Sequence, residues 1–141
     1  MIRWGIWIGT ISGIVLGLFL WFVEMATGRK VYTLLMNVDF IPVIGDIEWP
    51  VYMEWLFHMI ISWIIGILYV YILKHWIQDT RRNQWGLSIL LTAFASTTYV
   101  PLTILAIKET PSLTDGVAIL YWLIGHVLYA ITLKKAYFRF W

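Results

Sequence analysis

The stretch WGIWIGTISGIVLGLFLWFVE, residues 4–24, sets glycines at Gly5, Gly9, Gly13 and Gly17 and closes on Glu24. An α-helix turns about 100° per residue, so positions four apart lie nearly above one another. The four glycines strip one flank of side chains and let another helix backbone come close, which is how small-residue repeats hold helices together in a bilayer. Gly17 and Glu24 are close to two turns apart, so the carboxylate is expected to face the same neighbour as the glycines. An ionisable group packed against a helix near a membrane is costly and defaults to a functional candidate.

Composition places this helix in its class. Hydrophobic residues are 61% of the 141 and charged residues 13%, about half the charged share of an average soluble domain. Cysteine is absent, which removes disulfides, thiolate metal sites and thiol redox chemistry. The net charge is +2 and no basic patch with interleaved aromatics occurs, so nucleic acid is not an expected partner.

A membrane-crossing helix needs about 20 mostly apolar residues. Four stretches qualify, at residues 4–23, 51–73, 85–107 and 116–133. The expected fold is all-α, a single domain over residues 1–141 built as an integral membrane bundle of four transmembrane helices. Arg3 before an apolar run resembles a signal peptide, but the run is long and lacks a convincing small-residue cleavage site, so we read it as retained. Tryptophans suit the two interfaces: Trp4, Trp7, Trp76, Trp85 and Trp141 on one side, Trp21, Trp49 and Trp55 on the other. Trp63 and Trp122 fall mid-span and are expected to pack.

Seven basic residues (Arg3, Lys74, Arg81, Arg82, Lys134, Lys135, Arg139) flank one side, and Arg29, Lys30 and Lys108 the other. The positive-inside rule then puts both termini in the cytoplasm. Asp79 alone among the acids lies inside; Glu24, Asp39, Asp46, Glu48, Glu54, Glu109 and Asp115 lie toward the outside. The connection at residues 25–50 mixes apolar residues with Pro42, Gly45 and Pro50, which suggests a folded outer cap. The short basic inner loop, residues 74–84, suits anionic lipid headgroups.

In the second span Glu54, His58, Ser62 and Gly66 recur every four residues and share a face. Glu54 and His58 could share a proton along the helix side, or the stripe could be a polar seam satisfying itself between helices. The fourth span carries Gly125 and His126 about ten residues from its outer end, with Tyr129 one turn on. Glu24, Glu54, His58, Ser62, His126 and Tyr129 are therefore the candidate binding residues, with Gly5, Gly9, Gly13, Gly17, Gly66 and Gly125 as packing positions. Glu24, His58 and His126 are the only metal-ligand candidates, weak ones without a close-spaced pair, and no cofactor is expected. In the third span Ser88, Thr92 and Ser96 form a stripe, and Pro101 is expected to kink the helix with neighbouring hydroxyls satisfying the freed carbonyl. No nucleophile elbow, phosphate loop or paired catalytic acids are present.

Ser12-Gly13 through Trp21 to Glu24, the His58, Ser62 and Gly66 stripe, Gln84-Trp85-Gly86, Pro101 with Thr110-Pro111, and Gly125-His126 together resemble the YagU-like family of small bacterial inner-membrane proteins. The resemblance spans most of the chain. It implies a multi-pass protein of the bacterial cytoplasmic membrane, of a type with a member linked to acid resistance, and makes Glu24, His58 and His126 the functional trio. Leu20 departs from it, standing where a lysine beside the tryptophan is expected. Two function classes follow: proton- or small-solute-linked permeation from an acidic outer vestibule to the histidines, or a non-catalytic scaffold or accessory subunit docking other helices. A lipid-acting intramembrane enzyme is a third. Expected partners are membrane lipids and a second copy or another membrane protein, since four helices are few for a complete transporter.

Overall fold

The computed structural model describes residues 1–139, with side chains through residue 137. Trp141 and the Arg139 side chain lie outside the described residues. The chain forms α1 (Ile2–Thr27), α2 (Val31–Met36), α3 (Val51–His75), α4 (Arg81–Ser96), α5 (Tyr99–Leu105) and α6 (Gly116–Arg139). Four units are long and apolar enough to cross a membrane: α1, α3, α4 with α5, and the described part of α6. This is a multi-pass membrane architecture, and each span extends a few residues past, or close to, the limits read from hydropathy.

The ends have local causes. Gly28, at φ 74°, closes α1 in the left-handed conformation and returns its N–H to the Glu24 carbonyl. Thr80 caps α4 by accepting the Asn83 N–H at 3.2 Å. Asp115 does the same for α6, accepting from Ala118 at 3.1 Å.

α1 is the central helix, packed on α3 and α6, while α4 leans on α6. Gly5 meets Ile67, Gly9 meets Ser62 and Trp63, and Gly17 meets Trp55, so α1 and α3 run antiparallel with backbones in contact. A Cβ on Gly9 would stand 2.5 Å from the Ser62 carbonyl oxygen. Gly66 answers from the other helix, facing the backbone of Gly5 and Gly9. The stripe is thus consumed inside the chain and is not offered to a docking partner. Gly125 of α6 sits against Leu16, Phe19 and Leu20 of α1. Around this crossing Ile8, Leu16, Leu20, Tyr69, Leu73 and Leu133 form the apolar core. Trp122 is fully buried, and Trp63 donates its indole N–H to Thr10 at 2.8 Å.

The third span breaks one turn before Pro101, where the proline ring crowds the Thr97 carbonyl four residues back. The interruption falls at Thr97 and Thr98, between α4 and α5. The hydroxyls of Ser96, Thr97 and Thr98 donate to the carbonyls of Ala93, Phe94 and Ala95 at 2.8, 2.6 and 2.6 Å. Trp122 of α6 donates to the Ser96 carbonyl at 2.9 Å. Pro101 deprives the Thr97 carbonyl of its usual donor, and the Val100 N–H takes it at 3.3 Å instead. Three successive hydroxyl residues therefore satisfy the carbonyls upstream of the break and stabilise it.

Gly9→Ala is expected to destabilise the bundle by about 1–3 kcal/mol, and Gly13→Leu or Gly9→Leu by at least as much. Gly86→Ala, where an added methyl meets nothing within 4 Å, should be neutral or stabilising by up to about 1 kcal/mol. Thermal unfolding in detergent compares them, and equal midpoints for Gly9→Ala and Gly86→Ala would refute the close crossing. Single cysteines at the exposed Asp46 and Arg82 test orientation: an impermeant thiol reagent should label the first from outside and not the second.

Candidate functional site

The polar residues on facing helices meet at the glycine crossing. Ser62 of α3 donates to the Gly9 carbonyl at 2.7 Å. Its single proton is then used, so Tyr129 of α6 is the donor in the 2.8 Å contact between the two hydroxyls. One hydrogen-bonded chain, Tyr129 to Ser62 to Gly9, thus joins three helices. His58 lies one turn from Ser62 and its Nε2 is 3.0 Å from the Gly13 carbonyl. A carbonyl only accepts, so Nε2 carries the proton and Nδ1 keeps its lone pair. His126 is 2.8 Å through Nδ1 from the Trp122 carbonyl, which fixes the opposite tautomer and leaves Nε2 as the acceptor. Both rings are at least 93% buried.

Why these carbonyls? A helical carbonyl already accepts one N–H and has a second lone pair, normally hidden by side chains. At Gly9 and Gly13 no side chain intervenes, so α3 brings Ser62 and His58 directly onto α1 backbone oxygens. Ser12, beside them on α1, is fully buried and its hydroxyl has no partner.

The two expected acids sit elsewhere. Glu24 accepts from the Thr33 N–H and the Thr33 hydroxyl, both at 2.8 Å, and lies 3.9 Å from the Lys30 ammonium. Thr33 is in the first turn of α2, so Glu24 caps that helix from outside and complements its dipole. It does not face the α3 neighbour of the glycines, and it joins neither histidine. The short α2 folds back over the end of α1 and takes the carboxylate, which its seven-residue spacing from Gly17 does not encode. Glu54 pairs with Lys108 at 3.5 Å while His58 bonds Gly13, so of the two readings of this stripe the structure shows a seam bonded between helices and no Glu54–His58 bond. Among the described residues no three of His, Asp and Glu converge to hold a metal, so Glu24, His58 and His126 are not a ligand set.

Residues outside the sequence candidates hold the outer cap. Asp39 accepts the N–H groups of Lys108 and Ile107 at 2.6 and 3.1 Å, tying the cap to the end of α5. Arg29 grips both oxygens of Asp115 at 2.6 and 2.5 Å, joining the ends of α1 and α6. Burial alone would push the Asp39 carboxyl up, but the Lys108 and Ile107 N–H groups outweigh it and hold the group below its ordinary range. The Ala118 N–H, then Arg29, hold Asp115 low as well. The signal in the sequence was only the cap's Asn37-Val38-Asp39, where Asn37 donates to Asp39 at 2.8 Å.

No protein-family profile, curated protein or solved structure matches this chain.

Carboxylates depressed on folding stabilise above their unfolded value, about 3.9, and lose that contribution as pH falls through the folded value. Both Asp39 and Asp115 are depressed, so the outer cap should loosen in acid. Asp39→Asn should cost about 1 kcal/mol at neutral pH and flatten the acid limb of a melting-temperature profile; an unchanged profile would remove Asp39 from the account.

Proposed function

We propose that the chain is an acid-responsive multi-pass protein of a bacterial cytoplasmic membrane, with both termini inside, in which His58 and His126 register protons and couple them to conformation or to passage of protons or small solutes. The observation that carries this is the pair of buried imidazoles. Each has one nitrogen tied to a main-chain carbonyl and one left as an acceptor. The polar groups beside them include the Ser62 and Tyr129 hydroxyls at the crossing, and the Gly13 carbonyl and Ser12 hydroxyl on α1. Glu24 and Glu54 are engaged by the cap. A proton added to either ring turns an acceptor into a donor and sets a charge among apolar helices, where it is costly unless the structure rearranges. Loosening of the Asp39 tie in the same direction of pH supports the reading, since the outer cap covers the ends of the same helices. The resemblance to the YagU-like family agrees with an acid-stress role and a bacterial inner membrane.

The scaffold reading is the alternative. A long exposed apolar face on α4 and α5, including Leu90, Phe94, Val100 and Ile104, favours contact with lipid, a second copy or another membrane protein. A lipid-acting enzyme has no nucleophile arrangement to support it.

His ring NMR over about pH 4 to 8 separates the two readings. In the acid-responsive reading the titration of His126 moves when His58→Gln is made, because neighbouring charges titrate together. Vesicles loaded with a pH dye should also relax an imposed proton gradient more slowly with either His58→Gln or His126→Gln than with wild type. Independent titration together with unchanged relaxation would favour the scaffold.

A further inference from the structure

The cap loop carries five apolar residues in a row, Phe40 to Ile44, between α2 and α3. Its apex is tightly wound. The Ile44 N–H donates to the Pro42 carbonyl at 2.9 Å, and Val43 between them stands at φ 70°, so the three residues form a γ-turn. A β-branched residue is strained in this conformation, and a turn that faces water is better served by Gly or Asn. Among the described residues no other side chain is held at positive φ. Gly45 locks the turn from behind: its N–H donates to the Ile41 carbonyl at 2.6 Å, and a Cβ there would collide with the Asp39 carbonyl. The Val43 side chain touches little of the protein, being 74% exposed.

The loop comes down beside α3. Trp49 packs edge-on against Phe57, with ring centroids 5.4 Å apart, and its indole N–H holds the Ile44 carbonyl at 2.8 Å. Phe57 is six residues past the start of α3, about 9 Å along the axis. The 25 residues of α3 span about 37 Å. Centred in a hydrocarbon layer about 30 Å thick, that helix puts Phe57 about 5 Å inside the layer. The Trp49 ring then lies at the edge of the acyl chains, and Val43, adjoining the residue that Trp49 holds, lies at the level of the headgroups. The carboxylates of the loop have a different setting. Asp39, Asp46 and Glu48 line a cavity of about 500 Å³ with Glu54 and Lys108, and neither Pro42 nor Val43 takes part in it.

We propose that the cap loop inserts its Pro42–Val43 apex into the lipid leaflet at that end of the bundle, seating the Val43 side chain where headgroups meet acyl chains. An apolar side chain leaves water by entering lipid, and this offsets the strain of the turn. The apex is also suited to the depth in its backbone. Pro42 has no N–H, and those of Ile41, Ile44 and Gly45 go to carbonyls within the loop, so few unpaired donors enter the lipid. Val51 and Tyr52, exposed at the start of α3, continue the apolar surface beyond Pro50. The inference is independent of the histidine reading and of which side of the membrane the cap faces.

The full chain, which has no cysteine of its own, is given single cysteines at Val43, Asp46 or Ile61, the last an exposed position on α3. Each carries a nitroxide in phosphatidylcholine vesicles. Collisions are measured with oxygen, which concentrates in lipid, and with a water-soluble nickel chelate. The oxygen-to-nickel ratio at Val43 should exceed that at Asp46 severalfold and approach that at Ile61. A ratio equal to that at Asp46 would put the apex in water and overturn the proposal. Few collisions with either reagent at Val43 would mean that a second copy or another protein covers it, and would overturn it as well. A nitroxide at Ile47 tests the valine without labelling it. Val43→Asn, which keeps the turn with less strain, should lower the ratio at Ile47 severalfold, and an unchanged ratio would refute the seating of Val43 in lipid.

Discussion

The absence of side chains at Gly5, Gly9, Gly13 and Gly66 lets the backbones of α1 and α3 touch, and the remaining structure depends on that contact. Without a hydrophobic drive between helices in lipid, association relies on close packing and on polar contacts that close packing allows. Here the two are one arrangement. The glycines that remove bulk also uncover the carbonyls of Gly9 and Gly13, and α3 places Ser62 and His58 on them. A methyl at Gly9 would separate the helices and strand both polar side chains together. α6 joins through Tyr129 on Ser62 and through Gly125 against Leu16.

That geometry determines the chemistry available. Both histidines are anchored by one nitrogen to carbonyls that do not move independently of their helices. Their free nitrogens are acceptors in a setting with few donors. Among the described residues no three of His, Asp and Glu meet at this centre, since Glu24 and Glu54 are engaged at the outer cap. The cap in turn is held by charge-assisted bonds, Arg29 to Asp115 and Asp39 to the end of α5. These link the outer ends of the helices whose middles carry the histidines. Charge-assisted bonds at a wet surface and neutral bonds in the apolar interior answer to pH by different routes, one by losing an anion and the other by gaining a cation.

The sequence by itself determined the class and the main contact. Four apolar stretches of sufficient length and a glycine every fourth residue left an all-helical membrane bundle with one tight helix pair, because hydropathy and helical period act locally. The shared face of His58, Ser62 and Gly66 was legible for the same reason. The tertiary structure alone decided who meets whom. Glu24 has the same spacing whether it faces α3 or α2; the fold-back of α2 gave it to Thr33. Glu54 and His58 keep their four-residue register, yet Lys108 and Gly13, distant in sequence, take one each. The break at Thr97 was legible from Pro101, whereas the donation of Trp122 on another helix to the Ser96 carbonyl beside it was not. Thr92 reads like its neighbours Ser88 and Ser96, yet it alone of the three has a buried hydroxyl without a partner. Period fixes which side of a helix a residue occupies, whereas its partner depends on the position of every other helix, which no local pattern encodes.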